Sequence, residues 1–177
     1  MDYEWLSSVE SPKILVEAIK LLGTRETPGK DSNQIILEWA KEVGYSKLAF
    51  EYSSDEIPWC GLFLSICTLR AGFIPPKFPL RALSWSEFGT TKKHSEAMLG
   101  DVLTFSRKGG GHVGLYVGED VEAFHVLGGN QKDTVSVARI LKSRLYGVNR
   151  CNWKKSQPAS VRKIWLDGKG RLSENEV

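Results

Sequence analysis

The sequence predicts an α+β fold, with helices in the first part of the chain and an antiparallel sheet in the second. Between Ser11 and Phe88, apolar residues recur at helical spacing and are interrupted by glycine and proline. From Asp101 onward they fall in short runs separated by Gly, Asp and Asn turns, which is typical of strands joined by tight connections. The periodicity changes at one point of the chain, and this single change favours α+β.

Two helices are predicted before the functional region. The first opens at Ser11-Pro12, where proline is tolerated in a first turn, and closes at Gly23. The second starts with Asp31 and Gln34, whose spacing is that of a capping box, and stops at Gly44. The predicted buried faces are Ile14, Leu15, Ala18, Ile19 and Leu22 in the first helix, and Ile36, Trp39, Ala40 and Val43 in the second.

A third helix follows from the apolar run 62–69, which ends at Arg70-Ala71-Gly72. This layout puts Cys60 in the first turn of a buried helix. Unpaired backbone N–H groups and the positive end of the helix dipole favour a thiolate there, so a lowered pKa is expected for Cys60. Cys67, inside the apolar run, and Cys151, at the end of the last strand, are expected to be inert core thiols.

After an exposed connector at 75–79 and a short helical turn at 82–88, the sequence predicts five antiparallel strands. Their ranges are Val102–Phe105, His112–Val117, Ala123–Leu127, Thr134–Ile140 and Leu145–Cys151. In the second strand, one set of side chains is expected to face the core and the other to face away: Val113, Leu115 and Val117 against His112, Gly114, Tyr116 and Gly118. The glycines beside His112 are expected to leave room for a helix end to approach it.

Composition limits the class of protein. A chain of 177 residues with 41% hydrophobic residues fits one domain with its own core, predicted to span residues 1–153. Residues 154–177 are predicted to be a polar extension in which 163–172 can form a small hairpin. The net charge of +3 is too weak to indicate nucleic-acid binding, although it suits a polyanionic surface such as a cell wall.

The three cysteines lack the spacing of a disulfide framework, and no Cys, His and Asp cluster has metal-ligand spacing, so no metal or other cofactor is expected. The pair Asp55-Glu56 can bind a cation, but an exposed acidic turn is the favoured interpretation. The acidic N-terminus lacks the features of a signal peptide, and no stretch is apolar enough to span a membrane. A monomer made in the cytoplasm is therefore expected.

Cysteine, histidine and asparagine occur in the chain order of a thiol hydrolase, at Cys60, His112 and Asn130. Spacing alone leaves two interpretations of His112 about equally weighted, a base for the thiol or a satisfied surface histidine at a strand start. His94 is expected to be solvated, and His125 is left open between apolar packing and a position at the rim of a site.

Six short segments occur together in order: 22–29, 55–60, 84–89, 100–102, 111–114 and 127–131. Together they resemble the phage and bacterial peptidoglycan hydrolases of the CHAP and NlpC-like cysteine amidase and peptidase group. The resemblance covers about residues 13–153. It implies a papain-like fold, with the N-terminal helices packed on the sheet, and bacterial peptidoglycan as the partner.

In this resemblance Cys60 matches the nucleophile, His112 the general base and Asn130 the polar residue that orients the imidazole. Some relatives carry an acidic residue two positions earlier, where this chain has Gly128. The backbone N–H of Cys60 is a natural oxyanion donor. Four further residues are candidates for substrate or oxyanion contacts: Tyr52, Trp59, Trp85 and Gln131. The two tryptophans fit core positions equally well.

The resemblance implies acyl transfer to the thiol, with hydrolysis of an amide bond and lysis of the bacterial cell wall. It leaves open whether that bond joins sugar to peptide or lies within the stem peptide. It also leaves open whether the protein is a phage lysin or a bacterial effector that reaches the wall after release. Two alternatives are a thiol acyltransferase or peptidase acting on another substrate, and a catalytically silent wall-binding or structural phage protein.

Overall fold

A computed structural model describes residues 3–169 and 171–173 of the chain. The helices are α1 (Lys13–Ile19), α2 (Gln34–Val43), α3 (Tyr45–Leu48) and α4 (Cys60–Arg70). The strands are β1 (Thr90–Lys92), β2 (Val102–Arg107), β3 (Gly110–Glu119), β4 (Ala123–Gly128), β5 (Ser136–Leu141) and β6 (Leu145–Arg150). Short 3-10 turns lie at Glu4–Ser7, Ala82–Glu87, His94–Glu96 and Lys142–Arg144. The predicted α+β class is confirmed.

The strands form one antiparallel sheet in the order β1-β6-β2-β3-β4-β5. The sheet therefore has six strands, where the sequence predicts five. The additional strand, β1, is three residues long and pairs with β6. Its sequence, Thr-Thr-Lys, has no apolar residue and so carries no alternation from which a strand is predicted.

The first two helices differ from the prediction at their ends. Regular α1 stops at Ile19, four residues before Gly23, and Leu22 is 40% exposed rather than buried. The cap of α2 is Asn33, whose side chain accepts a hydrogen bond from the backbone N–H of Ile35 at 2.8 Å, so the predicted capping box at Asp31 is wrong. Helix α2 ends before Gly44 as predicted, and its predicted buried face is confirmed.

Helix α4 is the centre of the molecule, because every residue from Cys60 to Thr68 is buried. It packs against α1 and α2 on its outer side and against β3 and β4 on its inner side. The sheet contributes Val113, Leu115 and Val117 to this core, so the predicted inward face of β3 is confirmed. No helix among the residues described is long and apolar enough to cross a membrane.

The opposite face of the sheet has a second, smaller apolar core. Its members are Ala97, Leu103, Phe105, Tyr116, Phe124, Val126, Ile140 and Val148. The predicted approach of the helix on the side of Gly114 and Gly118 is wrong, because α4 covers the other face. A Cβ added at Gly114 would meet Val126, and one added at Gly118 would meet Leu166, so other segments occupy that space.

The described part of the C-terminal segment runs beside the end of β3. Leu166 donates its backbone N–H to the carbonyl of Glu119, and Glu119 donates to the carbonyl of Ile164. Within the described residues, this pairing replaces the small hairpin predicted at 163–172. Residues 1, 2, 170 and 174–177, which belong to the predicted N-terminus and extension, lie outside the described residues.

Candidate active site

Cys60 is the first residue of α4, as the sequence predicts, and its side chain is 5% exposed. The thiol lies within hydrogen-bond range of the backbone of Val113 and Gly61. The pairing of β3 with β4 begins at Leu115 and Leu127, so the start of β3 extends beyond β4. The first turn of α4 reaches this part of β3. The thiol therefore contacts the backbone of Val113, one residue after His112.

Burial changes the expected protonation of the thiol. It raises the pKa of Cys60, while hydrogen bonds from the backbone of Val113 and Gly61 act in the opposite direction without reversing the shift. The expected lowering of the pKa is therefore wrong, and the resting thiol is protonated at neutral pH. Cys67 and Cys151 are buried as predicted, and burial raises the pKa of Cys151 to about 12.

His112 is 1% exposed, which contradicts its interpretation as a surface histidine. Its Nε2 lies 3.1 Å from Oε1 of Gln131. The amide nitrogen of Gln131 donates to the backbone carbonyls of Ser136 and Val126, so Oε1 faces the imidazole as an acceptor. This arrangement places the ring proton of neutral His112 on Nε2. Nδ1 is then the nitrogen that can accept a proton from a thiol.

Asn130, the predicted orienting residue, lies on the helix side of the same turn. In the amide orientation that satisfies both of its polar atoms, it donates to Oε1 of Glu26 at 3.2 Å and accepts from the backbone N–H of Trp59 at 3.3 Å. Its backbone is left-handed, with φ of 55°. Because Asn130 turns toward α4 and Gln131 toward His112, the residue that contacts the imidazole is Gln131.

Two consecutive glycines allow this turn to come close to both the imidazole and the helix. A Cβ added at Gly128 would lie 3.0 Å from both Nε2 of His112 and Oε1 of Gln131. A Cβ added at Gly129 would lie 2.5 Å from the Cβ of Phe63 in α4. Glycine at 128, where some of the resembled enzymes carry an acid, is thus explained: Gln131 occupies the space that a side chain at 128 would need.

Glu26 is a site residue that the sequence reasoning does not single out. Its Oε1 accepts a hydrogen bond from Nε1 of Trp59 at 2.5 Å, in addition to the contact with Asn130. Burial raises its pKa, and the bond from Trp59 partly offsets that rise. Its one sequence signal is its position within the segment 22–29. Through Trp59, Glu26 and Asn130 fix the residue immediately before Cys60.

All four predicted substrate contacts are buried: Gln131 contacts His112, and the other three contact the protein's own core and turns. Tyr52 donates its hydroxyl to the carbonyl of Ile57 at 2.5 Å, and Trp85 donates Nε1 to the carbonyl of Pro79 at 2.9 Å. Trp59 is fully buried and lies beside Trp39, with ring centroids 6.1 Å apart. The two tryptophans occupy the core, and Tyr52 braces the turn that leads into α4.

The remaining polar residues near the site have structural contacts. Asp55 is fully buried and accepts hydrogen bonds from the backbone N–H groups of Thr27 and Asn33, so the exposed acidic turn is wrong for Asp55 and right for Glu56. Across residues 3–169 and 171–173, no group of three or more His, Cys, Asp or Glu side chains is arranged to hold a metal ion. His94 is exposed, as predicted.

No protein-family model matches the chain, and no curated protein matches it significantly in sequence.

Proposed function

We propose that this chain is a thiol hydrolase that cleaves an amide bond of bacterial peptidoglycan, with Cys60 as nucleophile, His112 as general base and Gln131 as the positioning residue. One observation carries the proposal: the thiol at the start of a buried helix lies against the backbone beside His112, whose Nε2 is bonded to Gln131. The substrate class rests on the six segments that resemble wall hydrolases. The protein would act on the wall as a monomer.

In the first step, Nδ1 of His112 takes the proton from the thiol as Sγ attacks the amide carbonyl carbon. A base is needed because burial keeps the resting thiol protonated. The oxyanion that forms is stabilised by the backbone N–H of Cys60, which belongs to the first turn of α4, where N–H groups have no acceptor within the helix. His112 then gives the proton to the leaving amine as the C–N bond breaks, which leaves a thioester on Cys60.

In the second step, water attacks the thioester carbonyl and gives a proton to His112. As the C–S bond breaks, His112 returns that proton to Sγ, so the thiol is restored and the product leaves as a carboxylic acid. Gln131 accepts a hydrogen bond from Nε2 in both steps, so the imidazole keeps one tautomer and one orientation. Asn130 and Glu26 help to position Cys60 rather than His112, because their hydrogen bonds fix Trp59, the residue before Cys60 at the start of α4.

The test is digestion of purified sacculi followed by mass spectrometry of the soluble products. Release of peptide-free glycan strands indicates cleavage between sugar and peptide, and release of shortened stem peptides indicates an endopeptidase. Cys60→Ala should release nothing, whereas Cys67→Ala, a thiol in the same helix, should retain activity per folded molecule. Intact sacculi after treatment with the folded wild-type protein would reject the proposed substrate.

A further inference from the structure

The loop that follows α4 packs against the glycines next to Cys60 and His112. A Cβ added at Gly61, next to Cys60, would lie 2.2 Å from the carbonyl oxygen of Pro79. A Cβ added at Gly111, next to His112, would lie 2.8 Å from a methyl group of Leu83. The segment 79–83 thus touches the neighbour of each reacting residue. The connector at 75–79, predicted to be exposed, is only partly exposed, because Pro79 is buried.

Two cations and an aromatic ring are displayed on this loop. Phe78 is 41% exposed, Nζ of Lys77 lies 5.3 Å from its ring centroid, and the guanidinium carbon of Arg81 lies 5.0 Å from it. Both basic side chains are exposed. Contact with one ring holds the two charges on a common surface while leaving their N–H groups directed to solvent. We call Lys77, Phe78 and Arg81 the cationic platform.

Basic and acidic residues near the site belong to different segments of the chain. The neighbouring β2–β3 hairpin adds Arg107 and Lys108, and Arg107 is close enough to act electrostatically on the thiol of Cys60. The segments 74–86 and 103–114 contain no acidic residue. The segments before α4 carry acidic residues instead: Glu51 and Glu56 are exposed, whereas Glu26 bonds to Trp59 and Asp55 is buried. A substrate with a free carboxylate would therefore bind in one direction, with that group on the side of the loop.

We propose that the cationic platform recognises a free carboxylate of the substrate, and that the enzyme consequently prefers acidic muropeptides to those whose carboxylates are amidated. This inference rests on the proposed function, because it takes Cys60 and His112 as the reacting groups. Arg81 supplies a planar donor pair and Lys77 a second charge, while the exposed ring of Phe78 offers an apolar face to the substrate beside the carboxylate.

The experiment measures equilibrium binding, by calorimetry, to the full chain carrying Cys60→Ala, so that no turnover occurs. The probes are a disaccharide tripeptide with free carboxylates and the same compound with those carboxylates amidated. The acidic form should bind about tenfold more tightly, as expected for two solvent-exposed charge pairs. Adding Lys77→Gln and Arg81→Gln together should bring the two affinities within about twofold of each other.

Lys41→Gln is the matched control. Lys41 is an exposed lysine beside Glu42, which pairs with Arg70 at the end of α4 far from Cys60. This change should leave the tenfold preference intact. Equal binding of the two probes, or a preference that survives the double change, would overturn the inference. If wild-type protein hydrolyses neither probe while Cys60→Ala still prefers the acidic one, the proposed function fails and the substrate preference of an enzyme fails with it. Only the binding of a carboxylate by the cationic platform then stands.

Discussion

Two histidines of the same sheet are almost completely buried, yet their ring nitrogens have different partners. His125 on β4 bonds through Nε2 to Oδ2 of Asp120 at 2.8 Å and through Nδ1 to the hydroxyl of Tyr3 at 2.7 Å. His112, at the start of β3, bonds through Nε2 to the neutral amide of Gln131. Burial is the same for both rings, so the neighbours decide what each can do.

The partners of His125 make it a structural link. Burial lowers its pKa, and the nearby Asp120 carboxylate does not reverse that shift, since its charge is shared with the guanidinium of Arg139 at 2.7 Å. A neutral ring that donates to Asp120 and accepts from Tyr3 ties the N-terminal segment to the sheet. His112 instead has a thiol beside its strand and an amide that fixes its tautomer without adding a charge.

The largest expected difference between the two histidines is in catalysis. His112→Ala should lower hydrolysis of sacculi by about a thousandfold or more, because the protonated thiol would lose its base. His125→Gln should retain activity per folded molecule, since Gln can donate to Asp120 and accept from Tyr3. Turbidity loss of a sacculus suspension, normalised to folded protein by circular dichroism, measures both. Comparable losses in the two variants would break the distinction.

A smaller effect separates Gln131 from Asn130. Gln131→Ala removes the acceptor for Nε2 of His112 and should lower kcat by about ten- to a hundredfold, because the ring samples the wrong tautomer part of the time. Gln131→Glu should restore part of this loss and shift the pH dependence of kcat to higher pH, since a carboxylate favours the imidazolium.

Asn130→Ala serves as the comparison for Gln131. It leaves the imidazole bonded and acts through Trp59, so we expect a smaller loss of kcat together with a lower melting temperature. A loss at Asn130 that exceeds the loss at Gln131, without a change in melting temperature, would restore Asn130 as the residue that orients His112.

The protonation state of Cys60 tests whether His112 stands beside a thiol or a thiolate. Because burial raises the pKa of Cys60 above its ordinary value of 9.0, iodoacetamide should label it about tenfold more slowly at pH 7 than a small free thiol. The labelling rate should still be rising at pH 9, and peptide mapping would separate Cys60 from Cys67 and Cys151. A rate that becomes constant below pH 8 would instead indicate a thiolate paired with an imidazolium, as the position at the helix start suggests.

The fold is predictable from sequence where periodicity is strong. Helix α2 and the inward face of β3 follow from the spacing of apolar residues, and helix α4 follows from a continuous apolar run, because both patterns reflect burial. Strand β1 and helix α3 are not predictable in this way, because three or four residues are too few to show a period and their stability comes from neighbours. The side of the sheet that α4 covers also requires tertiary packing to be known.

In the candidate site, the contacts of individual side chains differ from those expected from the sequence. The thiol of Cys60 lies against the backbone of Val113, the residue after His112. In the turn after β4, however, Gln131 contacts His112, where Asn130 was expected to do so. Asn130 has a left-handed backbone, which asparagine adopts more readily than most residues, but that preference does not say which of the two side chains will face His112. The raised pKa of the Cys60 thiol could not be predicted from the sequence either, because it results from burial by segments distant in the chain.

The smallest expected effect is on the pH dependence of stability, to which His125 contributes. Burial lowers the pKa of His125 on folding, so below pH 6.5 the unfolded chain binds a proton more readily than the folded chain does. The free energy of unfolding should therefore fall as the pH drops below 6.5, by about 1 kcal/mol between pH 7 and pH 5.5. Urea denaturation of His125→Gln should lack this component, and His94→Gln, which changes an exposed histidine, should keep it. The reverse pattern, with the pH dependence lost in His94→Gln and kept in His125→Gln, would show that His125 is protonated in the folded protein and is no neutral link.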